Sequence, residues 1–162
     1  MIFLFSCYFI RGNIGAGSIE RTPQIHAGVT ARYLNVVGIT SRTHLNQHEQ
    51  NLSLGIEFSP ALFFSDLFPI DEISSRPLQQ TLLFSAIGVD LITWRLSSKD
   101  KLLLSPYFQL HSPPICLFRT TKHALCFGIY GEYQYQNISL PSPHHSWNLG
   151  TSFHYGFGRL PL

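Results

Sequence analysis

The chain of 162 residues contains no run of 18 apolar residues, so a membrane-spanning helix is excluded. It is poor in charge: Asp, Glu, Lys and Arg make up 12% of it, against about 25% in average soluble domains. No basic block accompanies the formal charge of +2, which removes the electrostatic footprint of a nucleic-acid partner. Cysteine is sparse and odd in number, and Cys7, Cys116 and Cys126 show no CxxC or zinc-ligand spacing. Cys116 and Cys126 can pair if their strands are neighbours in an oxidising compartment, but general usage favours small buried hydrophobes for both. There is no phosphate-cradling loop and no dinucleotide fingerprint, so no cofactor is expected. Convincing helical periodicity is missing too, and the length suits one domain.

Aromatic side chains are abundant instead, at 14%, and they alternate. Trp147, Leu149, Thr151, Phe153, Tyr155 and Phe157 take turns with Asn148, Gly150, Ser152, His154 and Gly156. A strand sends successive side chains to opposite faces, so one face of this stretch is apolar and the other small or polar. His123 to Gln136 repeats the pattern, with Leu125, Phe127, Ile129, Tyr133 and Tyr135 opposite Cys126, Gly128, Tyr130, Glu132, Gln134 and Gln136. Residues 25–37 and 51–62 follow it, as do 81–94 and 102–111 with more interruption, Pro60 and Pro106 weakening two of them. Residues 38–50 and 63–80 read as connections, the second with one short helical turn.

Met1 to Ile10 is almost wholly apolar and precedes the small-residue stretch Gly15-Ala16-Gly17-Ser18. Residues 1–18 are therefore either a secretory signal segment or the first strand, and 19–162 form the main domain. Six strands are clear, and eight result if residues 1–10 and 115–118 join the sheet. The polar faces carry Gly, Ser, Asn and Gln with isolated charges and no Lys. Such a face suits a crowded polar lumen better than a solvated exterior, so the expected fold is all-β, an antiparallel up-and-down transmembrane β-barrel.

Three stretches, LSLGIEF (52–58), LCFGIYGEYQY (125–135) and WNLGTSFHYGF (147–157), resemble the strands of small bacterial outer-membrane β-barrel proteins. The last is similar to the C-terminal strand signal of that group, and five residues follow Phe157 here. The resemblance implies a bacterial outer membrane location, membrane lipid as a partner, and loops open to an extracellular protein or small molecule. Trp94, Trp147, Tyr155 and Phe157 are then interfacial aromatics.

With the apolar faces in lipid, Arg32, Glu57, Asp90, Gln109, Glu132 and His154 line the lumen, joined by His111, and Arg32 can pair with Glu57. An eight-stranded barrel encloses little more than its own side chains, so a charge-paired plug is expected and a wide pore is not. The leading function is a non-enzymatic structural or interaction scaffold. A lipid-modifying acyl hydrolase is the alternative. Ser152 and His154 share a face, and Glu132 can complete a nucleophile, base and orienting carboxylate. His144-His145-Ser146-Trp147-Asn148 faintly resembles the His-x-Ser-Asn motif of outer-membrane lipid A deacylases, Trp147 intervening before Asn148, and His144 and Ser146 carry that resemblance. A third alternative is a soluble ligand-binding barrel. His44, His48, His144 and His145 lack a fixed ligand spacing, and no metal site is expected from them.

Overall fold

Alternation along its length leaves a strand no choice of face, and it organises the described residues. The computed structural model describes residues 7–19, 21–33, 36–47, 50–62, 77–95, 101–102, 104–120, 122–136 and 144–158. Strands β1 (Cys7–Ile19), β2 (Thr22–Tyr33), β3 (Val37–Asn46), β4 (Gln50–Phe58) and β5 (Ala86–Arg95) follow one another as antiparallel neighbours. After them come β6 (Lys101–Leu102), β7 (Ser105–His111), β8 (Ile115–Arg119), β9 (His123–Gln136) and β10 (His144–Gly158). β10 pairs with both β9 and β1, so the sheet closes. The circuit β1-β2-β3-β4-β5-β7-β9-β10 is an eight-stranded antiparallel barrel in up-and-down order.

The strands are staggered. Gly156 pairs with Phe9, and the chain of partners runs through Arg32, Gly38, Glu57, Gly88, Tyr107 and Gln134 to Ser146. One turn round the barrel therefore returns to the same strand ten residues away, from Gly156 to Ser146. For so few strands this leaves an interior that side chains fill.

β6 and β8 are offcuts of β7 rather than new staves. β6 continues the pairing of β5, and it is parted from β7 at Leu104, whose φ of 61° is unusual for a bulky residue. β8 continues along β9 past Ser112-Pro113-Pro114, with every residue exposed. The expected strand at 115–118 thus exists as a flap, and the eighth stave is β3, which corrects the reading of 38–50 as a connection. The outward face of β3 carries Ser41 and Thr43 between Ile39 and Leu45, so its apolar signal is diluted. Cys116 and Cys126 stand opposite each other on β8 and β9 and form a disulfide, which overturns their reading as free buried hydrophobes.

β1 occupies the ground left open between a signal and a strand, and Gly15-Ala16-Gly17-Ser18 lies within it. A cut there would divide the strand that joins β10 to β2. Between β4 and β5 the described residues form a 3-10 turn, Pro60–Leu62, and helix α1, Pro77–Phe84. Residues 81–84, expected as strand, are the last turn of that helix. The pairing of β4 with β5 slips at Leu54/Gly55, where Ile92 and then Asp90 are the partners. Leu91 is the extra residue, a β-bulge that leaves Leu91 and Ile92 both exposed.

Candidate functional site

The interior holds the chemistry. Six charged side chains are described on the eight staves, Arg11, Arg32, Arg42, Glu57, Asp90 and Glu132, and each is buried inside the barrel. The opposite faces carry the large apolar residues, with Ile14 60%, Ile129 58% and Leu149 66% exposed. Aromatic residues gather at the two ends of this outer face. Tyr8, Tyr33, Tyr155 and Phe157 cluster at one end, with ring centroids 5.4 Å apart for the tilted pair Tyr8–Tyr33 and 5.5 Å for the stacked pair Tyr8–Phe157. Tyr133, Tyr135, His145 and Trp147 gather at the other, Tyr133 and Trp147 being 4.5 Å apart. Trp94 is half-buried on β5 near that end, its partner Leu52 standing one residue in from Asn51 and Arg95.

The three cations and three anions form two groups. In the first, Arg11 and Arg32 each donate to Glu57 at 2.5 Å, and Tyr107 donates its phenolic O–H to the same carboxylate at 2.9 Å. Two cations against one anion leave a net +1. The cations are also aimed at the C-terminal end of α1. Arg32 donates to the carbonyls of Leu83 and Ser85 at 3.3 and 3.1 Å, and Arg11 to that of Phe84 at 3.4 Å. A helix end has unpaired carbonyls and partial negative charge, so the excess cation and the helix satisfy each other. The single proton of the Ser59 hydroxyl is shared between the carbonyls of Leu82 and Leu83, each 3.0 Å away. Helix α1 is thereby pinned over one end of the lumen.

In the second group Arg42 grips Asp90 with two nitrogens and donates to Glu132 at 2.8 Å. Gln134 donates to Asp90 at 2.8 Å, and Gln109 and Asn148 donate to Glu132 at 2.5 and 3.0 Å. Gln24 in turn holds Asn148 at 2.8 Å. One cation against two anions leaves a net −1. Buried charges need this density of partners, because an unpaired one carries a desolvation penalty of several kcal/mol.

Glycine admits one of these contacts. A Cβ on Gly88 would lie 2.3 Å from the Tyr107 ring, so only glycine lets that ring lie across β5. From there its hydroxyl reaches Glu57 and its face receives Arg42.

The residues expected to do acyl chemistry divide between these groups. Ser152 and His154 do meet, Oγ to Nε2 at 3.0 Å, and His111 approaches the same hydroxyl through Nδ1 at 3.2 Å. His111 Nε2 faces Arg11 at 3.4 Å. The same Nε2 lies 3.4 Å from Gln109 Oε1, so a donor and an acceptor both face it and these contacts do not fix the tautomer. The Ser152 hydroxyl thus lies within reach of two imidazoles and of the Gly128 carbonyl at 3.4 Å, and a general base needs its proton to point to His154. Glu132, however, sits with Arg42 rather than behind His154, so the expected orienting carboxylate is elsewhere. All three partners are buried, and the Phe84 ring of α1 meets His154 edge-on at 4.7 Å. Ser146 is buried, its hydroxyl without a hydrogen-bond partner among the described residues, and the side chains of His144 and His48 lie outside the described residues. His145 is exposed and bonded to Tyr133, while His44 lies in the lumen on β3 rather than in a loop.

Arg11, His26, Arg42, His44, Tyr107 and Tyr130 are lumen residues that the sequence reading did not name as such. Arg11 adjoined an apolar run, and Arg42 and His44 fell in the stretch read as a connection. No family model, no curated protein and no solved structure matches the chain.

Proposed function

We propose that this chain is an outer-membrane-type β-barrel protein, a non-enzymatic scaffold whose lumen is closed by its own side chains. The observation that carries the reading is the sorting of residues across the barrel wall. Every described charge of Asp, Glu or Arg on the eight staves faces inward, and the outward faces are mostly apolar. A barrel dissolved in water gains stability by the reverse arrangement, since exposed apolar area is unfavourable and unpaired lumen charge costs desolvation. In lipid the same sorting is the stable one.

The dimensions agree. Phe157 and Trp147 are ten residues apart on β10, with the aromatic groups at both ends. At roughly 3.3 Å per residue and a tilt of roughly 40°, that distance spans about 25 Å along the barrel axis. An apolar band of about 25 Å between aromatic girdles is what an outer-membrane barrel presents to lipid. The Cys116–Cys126 disulfide favours an oxidising compartment for the end that bears β8.

The paired charges and α1 favour a plug over a channel. Extraction tests both halves of this reading. The protein should partition with membranes, migrate differently on a gel before and after boiling, and give no steady conductance in a planar bilayer. Monodisperse protein without detergent and without a gel shift would overturn the membrane assignment, and a steady conductance would overturn the plug.

A second reading rests on the Ser152–His154 contact at 3.0 Å. An acyl hydrolase on this scaffold needs α1 to move aside so that an ester reaches Ser152. Labelling of Ser152 by a fluorophosphonate would support it, and no labelling in detergent or lipid would dispose of it.

A further inference from the structure

His26, His44 and Glu132 converge on the lumen from β2, β3 and β9. Their ligand-type atoms all lie within 4.8 Å of one another, and all three side chains are buried. His26 and His44 are register partners across β2 and β3, and their rings stack at 4.9 Å. A buried histidine usually spends both ring nitrogens on hydrogen bonds, and here that explanation fails. Among the described residues, Nε2 of His26 and both ring nitrogens of His44 have no hydrogen-bond partner. A buried polar atom left bare costs about 1–3 kcal/mol, and native proteins seldom leave three together.

Two further observations point to a cation as the missing partner. Arg42, Asp90 and Glu132 leave this part of the lumen at a formal −1, whereas the +1 of Arg11, Arg32 and Glu57 is met by the carbonyls of α1. In addition, Tyr130 Oη lies 2.8 Å from His26 Nδ1. If Nδ1–H donates to that hydroxyl, Nε2 keeps its lone pair, and Glu132 Oε2 is 4.0 Å from it. A hydrogen bond on the far nitrogen is how metal-binding imidazoles are oriented.

We propose that His26, His44 and Glu132 form a binding site for a divalent first-row cation of the zinc type. Two imidazoles and one carboxylate are a known zinc donor set, with a fourth position for water or an added ligand. Bonds of about 2.0–2.2 Å place such donors roughly 3.5 Å apart, so the side chains close by about 1 Å on binding. The His44 ring breaks no hydrogen bond among the described residues when it shifts, and only its stacking on His26 has to adjust. Glu132 Oε2 accepts from Arg42 and Gln109, so binding costs a share of those bonds, while Arg42 keeps its two-nitrogen grip on Asp90. The bound ion ties three strands together across the lumen.

The test uses the full folded chain, stripped with a chelator and titrated with Co²⁺ as an optical probe. A visible ligand-field band should saturate at one Co²⁺ per chain and vanish on adding equimolar Zn²⁺. His44→Gln and His26→Gln should each weaken Co²⁺ binding by more than about tenfold, the lower bound for disturbing even an outer partner of a metal ligand. His123→Gln, at an exposed histidine bonded to Tyr155, should leave affinity unchanged. Zn²⁺ should also raise the unfolding temperature of the unmutated chain. No saturable band in the unmutated chain overturns the proposal whatever the variants do. So does equal affinity in the folded His26 and His44 variants, or an equal loss in His123→Gln. The readout does not depend on the medium outside the barrel, so its failure and that of the membrane assignment are separable.

Discussion

The guanidinium carbon of Arg42 lies 3.5 Å from the centroid of the Tyr107 ring. The same tyrosine donates its hydroxyl to Glu57. One side chain thus links the two charge groups, its ring serving the negative one and its hydroxyl the positive one. Tyr107→Phe keeps the ring under Arg42 and removes a hydrogen bond to a buried carboxylate, worth about 1.5–3 kcal/mol. Tyr107→Leu removes both contacts and should destabilise further. Unfolding midpoints in urea should fall in that order, and equal midpoints for Phe and Leu would show that the Arg42 stacking contributes nothing.

The Arg11–Glu57–Arg32 group predicts an asymmetry. Glu57→Ala strands two buried cations and should cost about 3–5 kcal/mol or prevent folding. Arg11→Met leaves Arg32 and Glu57 as a neutral pair and should be much milder, despite the lost contact to the Phe84 carbonyl. Adding Arg11→Met to Glu57→Ala should restore part of the loss. A double variant no better than Glu57→Ala, compared by thermal unfolding, would refute the charge account.

A charge on the outer wall separates membrane from water. Ile129 and Ile14 both stand opposite Thr151, midway along the band between Phe157 and Trp147. Ile129→Arg should destabilise a lipid-embedded barrel by about 2–4 kcal/mol, and His145→Arg at the aromatic end by about 0–1. In water both changes are surface substitutions within about 0.5 kcal/mol. Folding titrations into lipid vesicles measure the difference, and a neutral Ile129→Arg would sink the lipid-facing assignment.

Reducing the Cys116–Cys126 disulfide should free β8 and leave the barrel closed. Among the described residues β8 pairs with β9 alone, and the eight-strand circuit does not pass through it. Hydrogen exchange should quicken at 115–119 on reduction, with the gel shift retained. Loss of the shift would mean that the flap supports the barrel.

Most staves were legible because alternation is enforced along their whole length, as in β9 and β10, where an aromatic or aliphatic side chain stands at most outward positions. β3 was not, since Ser41 and Thr43 dilute its outer face and Arg42 and His44 look solvated when read without a lumen. β5 blurred because the Leu91 bulge puts two consecutive apolar residues outside, shifting the period by one. The inward positions of Arg32, Glu57, Asp90, Gln109, Glu132 and His154 follow from alternation alone. Their partners do not, because contacts across the lumen depend on the stagger of all eight strands. Arg32 meets Glu57 from two strands away, and Glu132 goes to Arg42 instead of His154. Helix α1 was half legible: it begins in the stretch read with one short helical turn, and its last residues were read as strand because PLQQTLLF runs directly into the apolar start of β5.

The first and last strands are neighbours, joined from Cys7 with Gly158 to Ile19 with Ser146. Closure therefore joins segments separated by almost the full length of the chain, and that pairing waits until β10 has been made. Until then both β1 and β9 present an open edge to any other strand nearby. Such a long-range last step slows folding and exposes the unfinished chain to misassociation. The unfinished barrel should therefore depend on a holding factor, and a chain ended before His144 should aggregate rather than form a smaller barrel.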